Sequence, residues 1–490
     1  MRRFIGLLLI FALWSCTDSN EYISIIQIND VYEIDALSGG EVGGLSRVAT
    51  IIKQEKQRNP NTIVVLAGDF LSPSLLGTLT HQGKKIAGAQ MIDLLNQIEV
   101  DLVVLGNHEF DLKQQELQER IDESQFDWLA TNVYENQGLL RKKPFEKLGV
   151  PLPKTRIFSF DNGYKLAFIG ATIDVNDEDY VVYTDFIKEA KESYERVNER
   201  SDMVLGLTHL SLDQDKEFSR ELPQIPLIMG GHEHYNMDVS IGRSRITKAD
   251  ANAKSLYIHR LNVETSSITS ELVQLDKSVK KDKVIQKRVN DWIAIQNAQL
   301  EKVISDPEDE IFYAESPLFG TEQAIRSSQT NLGTLICLSI MNEYEDEVEA
   351  AFVNSGSIRI DDDLSGEITG VDIFRILPYG GSLVKIKITG DLLVRTLNFT
   401  SKKTGSGAYL QYEGLSQSLE SKRWYIGDTP IDRKKQYWIA TSKFMLSGYD
   451  VPFFTIANKS IIEVVEPDEG DDAMDIRKVV ISFLGDLDED

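Results

Sequence analysis

Five apolar, β-branched runs in the first half of the chain end on residues able to bind a metal ion, and no other feature limits the fold as strongly. Asp30 closes ISIIQIND, Asp69 closes TIVVLAGD, and Asn107 and His108 follow DLVVLG. His209 ends SDMVLGLTH, and His232 and His234 follow PLIMGG. Runs of this length and composition are expected as buried strands. Four of the six histidines fall in these segments, so the imidazoles collect at strand ends. In open α/β sheets such groups converge outside the carboxyl ends of the strands. The set suits two divalent cations held about 3.5–4 Å apart around a bridging carboxylate, a place that fits Asp69. Carboxylate, amide oxygen and neutral imidazole together suit manganese, iron or zinc.

A chain of 490 residues is too long for one ordinary core, so two domains are expected. Its 42% hydrophobic and 26% charged content is that of a globular protein. A formal charge of -25 argues against a nucleic-acid polymer as partner. A small phosphorylated substrate remains compatible, because metals and a few arginines supply local positive charge.

The N-terminus reads as an export signal. Arg2 and Arg3 precede the apolar stretch from Phe4 to Trp14, and Ser15 stands before Cys16, the pattern of a secretory leader too short to span a bilayer. Leu13-Trp14-Ser15-Cys16 also resembles a bacterial lipobox, which implies acylation of Cys16 and an outer-membrane lipoprotein; a plain signal peptide is the alternative. Cys337 is the one cysteine left after Cys16. It lies in the apolar helical pattern NLGTLICLSIMN and reads as a core residue.

Residues 1–15 are thus a signal peptide and 16–21 a tether. Over 22–276 apolar strands alternate with helical stretches (Leu45 to Gln57, Ala87 to Ile98, Asp185 to Arg200), the pattern of an α/β layered domain. A charged helix from Lys277 to about Ile304 is expected to connect the domains within 277–309. The second domain, 310–484, mixes helices with strands near Ala350 to Val353, Leu383 to Ile388 and Tyr437 to Ala440. A helix is expected to start near Thr389, with Asp391 in its first turn. The acidic tail 485–490 is expected to fray.

The motif order resembles that of the calcineurin-like metallophosphoesterases, and more closely the secreted 5'-nucleotidase family, whose pattern runs D-x-H, G-D, G-N-H-E, T-H and G-H-x-H. The resemblance implies a four-layer β-sandwich flanked by helices, followed by a smaller α/β C-terminal domain. It implies that Asp30, Asp69 and His234 hold one metal, and Asp69, Asn107, His209 and His232 the other. It further implies that His108 stabilises the transition state and that Asp111 orients it. One position departs: D-x-H reads Asp30-Val31-Tyr32 here, and a phenol is a poor ligand unless deprotonated.

The resemblance continues in the second half. Asn354-Ser355-Gly356-Ser357-Ile358-Arg359 matches N-x-G-x-x-R, and Arg326 aligns with another substrate-binding arginine; a third such arginine is Thr334 here. Arginine's forked donors suit a phosphate or carboxylate. Tyr379 and Phe444 occupy the positions of two aromatic rings that sandwich a base, and the family's G-G-D-G loop reads Ser447-Gly448-Tyr449-Asp450. The implied activity is hydrolysis of nucleotide phosphate monoesters by a monomeric, envelope-located enzyme. UDP-sugar hydrolysis, cyclic-nucleotide hydrolysis and a catalytically decayed nucleotide-binding lipoprotein remain open beside it.

Overall fold

The computed structural model describes residues 21–138, 141–176 and 178–489. Cys16 and the leader lie outside the described residues. Strand Tyr22–Ile28 pairs in parallel with Thr62–Leu66, that strand with Leu102–Val104, and the last with Asp127–Leu129. Ser255–Asn262 and Ile268–Gln274 complete a six-stranded sheet on the other side. The inner parallel strands are buried on both faces, which is why they read as continuous apolar runs rather than alternating ones. A second six-stranded sheet runs in the order Thr155–Ser159, Lys165–Thr172, Met203–His209, Leu227–Met229, Ser244–Lys248, Met237–Ile241.

Side-chain alternation sorts the layers. Ile23, Ile25, Ile63 and Val65 of the first sheet meet Phe168, Leu205, Leu207 and Leu227 of the second. On the outer faces, Ile26, Ile28, Val64 and Leu66 pack on helices Leu45–Arg58 and Ala89–Gln97. Ala167, Ile169 and Ile228 pack on Phe186–Asn198. Helix, sheet, sheet and helix make the four layers expected.

The connecting helix is shorter than its charge pattern suggested and spans Lys283–Leu300. Asp282 starts it, accepting the N–H groups of Val284 and Ile285 at 3.1 Å, so the preceding residues stay outside the helix. It lies on the first domain: Ile285 and Val289 join that core, and Arg288 and Trp292 both donate to Asp93. At its far end Leu300 packs with Leu75 and Phe374.

The second domain is built on a five-stranded mixed sheet, Leu410–Glu413, Ala350–Asn354, Gln436–Ser442, Leu383–Thr389 and Ile461–Val465. Helices Asn331–Glu343 and Ile476–Glu489 cover one face and Gly390–Thr400 the other. Thr389 caps the last of these by accepting from Leu392 N at 3.2 Å. Cys337 is fully buried among apolar neighbours, and that burial raises its thiol far above the ordinary range. Through the acidic tail that was expected to fray, the terminal helix Ile476–Glu489 runs on as far as Glu489. Ile476, Val479, Val480 and Leu484 seat its apolar face against Ile336 and Ile340, and packing of that face holds the turn beyond it. Among the described residues no helix is long and apolar enough to cross a membrane.

Candidate metal centre and substrate cleft

Each expected ligand sits just beyond the carboxyl end of a parallel strand, or on its last residue, as with His209. Ligand atoms of Asp30, Asp69 and His209 lie within 4.8 Å of one another. His209 Nδ1 donates to Ala67 O at 2.7 Å, which turns Nε2 to within 3.0 Å of Asp69 Oδ2 and 4.0 Å of Asp30 Oδ1. His234 Nε2 lies 3.6 Å from Asp30 Oδ1, and the His232 ring packs edge-on to His209 with centroids 5.5 Å apart. Asn107 borders the same cleft as Asp69, His108 and His232.

The residues fit divalent cations. Among the described residues, buried Asn107 Oδ1 and His209 Nε2 have no hydrogen-bond partner; the 3.0 Å approach of His209 to Asp69 is close but not aligned as a hydrogen bond. Buried polar atoms are almost always satisfied, and an amide oxygen and an imidazole nitrogen left without partners beside two carboxylates make a ligand set suited to borderline metals once the imidazole gives up its proton.

Backbone strain holds this cluster. Asp30, Asp69 and His232 have φ of 52°, 56° and 83°, a region that costs side-chain-bearing residues about 1–3 kcal/mol each. The neighbouring glycines are required by closeness: a Cβ on Gly68 would meet His209 Nδ1 at 2.6 Å, and one on Gly231 the same atom at 2.8 Å. Glu109 over-determines the strained turns. Its buried carboxylate accepts from Asp69 N, Phe70 N, Leu71 N and Gly106 N at 2.9, 2.8, 3.2 and 2.6 Å. Across the cluster, the fully buried Lys248 ammonium donates to Leu210 O and Gly231 O at 2.7 Å each, and pairs with Asp215 and Glu233. One cation thereby ties the backbone after His209 to the backbone before His232.

Burial and charge compete in this cluster. Burial would raise Asp69, yet His209 and His108 hold it far below the usual carboxylate range. Burial would lower His209, but Asp69 and Asp30 lift it to about 9. His232, buried and beside His209, falls to about 3. Burial, then the charges of Asp69 and Asp30, push the Tyr32 phenol well above 10, so it is a neutral hydroxyl. That hydroxyl lies 3.3 Å from Asp69 Oδ2 and 3.1 Å from His234 Nε2, so the substituted position faces the centre.

His108 Nδ1 meets Asp111 Oδ2 at 2.7 Å, and Ser72 and Asn176 also donate to the Asp111 carboxylate. Burial opposes ionisation of Asp111, but His108 lowers it below the ordinary value. Beyond His108 a cleft of about 620 Å³ runs between the domains. Arg326, Asn354, Arg359, Tyr379 and Phe444 all line it, so every substrate residue expected from the sequence faces the metal cluster across one space. Tyr379 and Phe444 are half exposed, at 55% and 46%. Arg326 is lowered to about 10 by burial and by Arg359, and it pairs with Glu322 on the same wall. Both polar atoms of the Asn354 side chain are engaged, donating to Asp450 and accepting from Ser357; it shapes the wall.

Several residues escaped the sequence reading. Glu109 is the last residue of the G-N-H-E motif but was given no role, and Asn176 lies outside every motif. Asp361 and Glu322, from the second domain, reach His234 Nδ1 at 2.6 and 3.4 Å. Tyr449 adds a third ring at the cleft, its centroid 6.1 Å from that of Phe444. His259, outside the motif pattern, is a satisfied core histidine between Gln27 and Ser270.

Two stacked sheets that deliver carboxylates, an amide and imidazoles from their strand ends define a metallophosphoesterase. The profile of the calcineurin-like phosphoesterase family matches residues 23–236, and that of the 5'-nucleotidase C-terminal domain matches 310–459. The chain belongs to the 5'-nucleotidase family with a calcineurin-like amino-terminal domain, and is a metal-dependent phosphoester hydrolase. It is 23% identical over 454 residues to human 5'-nucleotidase, covering 84% of this chain and 75% of that protein. The fold is shared with a 5'-nucleotidase precursor from Thermus thermophilus (TM-score 0.75, 19% identity, 95% and 96% of the two chains). It is shared also with the sulfate thiohydrolase SoxB of Thermus thermophilus (TM-score 0.68, 16% identity, 95% and 94%).

Proposed function

We propose that the chain is an exported, lipid-anchored 5'-nucleotidase that hydrolyses nucleotide phosphate monoesters at a pair of divalent cations. The observation that carries this reading is the one cleft joining the ligand cluster to two guanidinium groups and two exposed rings. Asp30, Asp69 and His234 would hold one ion, and Asp69, Asn107, His209 and His232 the other, with manganese, iron or zinc as the suited metals. Bound there, the ions would acidify a water molecule and neutralise phosphoryl oxygens.

The protein's own groups do the rest. His108, held by Asp111, donates to the phosphoryl oxygen on which charge develops. Arg359 and Arg326 anchor the nucleotide's anionic groups, and Tyr379 and Phe444 take the base between their rings. Acylation at Cys16 would tether the monomer to the outer membrane, where released nucleosides and phosphate become available to the cell. The lipobox-like Leu13-Trp14-Ser15-Cys16 supports that placement.

A second reading keeps the chemistry and changes the ester. Tyr449 stands where the family's G-G-D-G loop has aspartate, and Thr334 where the family has arginine, changes that leave a nucleotide sugar or cyclic nucleotide open beside the mononucleotide. Product analysis with the manganese-loaded protein, beside a His108→Ala control, separates the readings: a mononucleotide gives nucleoside and inorganic phosphate, a nucleotide sugar gives nucleoside monophosphate and sugar phosphate, and a cyclic nucleotide gives the opened phosphate monoester. Tight nucleotide binding without turnover under any of the three metals would sink both in favour of a decayed binder.

A further inference from the structure

His234 has a ligand position in one domain and its hydrogen-bond partner in the other. The Asp361 carboxylate can only accept, so the 2.6 Å contact requires the proton on His234 Nδ1. In the neutral ring that a cation requires, Nε2 is then the lone-pair nitrogen, and it points at Asp30 and at the Tyr32 hydroxyl. Asp361 thus selects the one neutral tautomer in which His234 offers a lone pair to the cluster. A carboxylate behind a metal-binding histidine fixes ring orientation and raises ligand basicity. Here that carboxylate lies 127 positions further along the chain.

Asp361 is itself held in place. Its backbone is left-handed at φ 45°, its Oδ1 accepts from Glu322 N at 2.7 Å, and its neighbour Asp362 pairs with Lys254 of the first domain at 3.0 Å. The pairing at His234 therefore depends on how the two domains are arranged. Tyr32 adds weight to this dependence. The neutral phenol contributes no strong donor where the family has a second imidazole, which leaves His234 as the imidazole facing Asp30 Oδ1 from that side.

We propose that Asp361 is a positioning residue for His234, so that the first metal site is completed across the domain interface and its affinity is coupled to domain arrangement. The coupling is reciprocal: a cation at His234 favours the arrangement that keeps Asp361 in contact. This rests on the metal-centre reading above, and its test reads binding rather than turnover, so the two can fail separately.

The test is calorimetric titration of Mn²⁺ into the detergent-solubilised full chain, as wild type, Asp361→Asn, His234→Gln and the double variant. Asp361→Asn is expected to weaken one binding event roughly 10- to 100-fold and to leave any other event unchanged. In the His234→Gln background the same substitution should add nothing, which a general structural role would not predict. Lys254→Ala, which removes the interdomain contacts to Asp362 and to the Asp361 carbonyl but no ligand group, should weaken the same event. Interdomain distances between spin labels should narrow on Mn²⁺ addition in wild type and not in Asp361→Asn. Unchanged Mn²⁺ binding in Asp361→Asn, full additivity with His234→Gln, or absence of any Mn²⁺ binding overturns the proposal. Nucleotide turnover with an unmoved titration sinks this inference alone; Mn²⁺ binding that responds as described, without turnover, sinks the nucleotidase reading and leaves this one standing.

Discussion

His108 Nδ1 and Asp111 Oδ2 lie 2.7 Å apart one helical turn from each other, at the mouth of the cleft and outside the ligand cluster. The pair is built within the short 3₁₀ turn His108–Asp111, and Ser72 and Asn176 of the same domain fix its carboxylate. His108→Ala should lower kcat about 10²–10³-fold, the cost of losing one donor to a developing oxyanion, with Mn²⁺ affinity unchanged. Asp111→Asn should lower kcat by less. Steady-state kinetics with parallel metal titration checks both; a His108→Ala protein that turns over normally removes the assigned role.

The strained ligand turns depend on Glu109. Removing its carboxylate in Glu109→Ala leaves four buried N–H groups short of an acceptor. Each such group costs about 1–3 kcal/mol before water relieves it, so a loss of about 3 kcal/mol or more is expected in urea unfolding. Metal affinity should fall with it. Unfolding at the wild-type midpoint would show that strand packing alone holds the turns.

Tyr379→Ala and Phe444→Ala should each weaken nucleotide binding by about 1–3 kcal/mol, equally for purine and pyrimidine, because stacking tolerates any base. The effect belongs in KM, and hydrolysis of a phosphate ester without a base should not change. A loss confined to one base would mean that the rings read edges rather than faces.

Tyr32→His tests the substituted ligand position. The Tyr32 hydroxyl already faces Asp69 and His234, so an imidazole there is expected to tighten the weaker Mn²⁺ event without altering the other. Titration decides it; an unchanged profile would mean that this position does not reach a metal.

Acid should destabilise the fold through His259. Burial, with Arg245 adding to it, lowers this imidazole to about 3, whereas the unfolded chain protonates near 6.5. Between those values the unfolded state holds the extra proton. The contribution is therefore complete above about pH 6.5 and is lost as pH falls towards about 3, with a slope up to about 1.4 kcal/mol per pH unit. His259→Gln should flatten the pH dependence of urea stability in that window, and an unaltered slope would assign the acid sensitivity elsewhere.

Much of this protein is legible locally. Ile23 to Ile28 and Thr62 to Leu66 announce buried parallel strands because both faces must be apolar, and Asp30, Asp69, Asn107, His209 and His232 then fall at strand ends. Helix ends shifted where a single side chain decided them, as Asp282 did for the connecting helix. The terminal helix was not foreseen, because its seating depends on Ile476, Val480 and Leu484 meeting Ile336 and Ile340, far back in the chain.

The sequence by itself determined which atoms are offered to a metal and to a phosphate, since strand periodicity and motif order are properties of neighbouring residues. Only the tertiary structure decided what holds those atoms. Glu109 against four backbone donors, Lys248 between two histidine loops and Asp361 behind His234 are contacts whose local residue patterns look like ordinary surface charge. Burial converts such charges into fixed, paired groups, and burial is set by the packing of distant segments rather than by any stretch of chain alone.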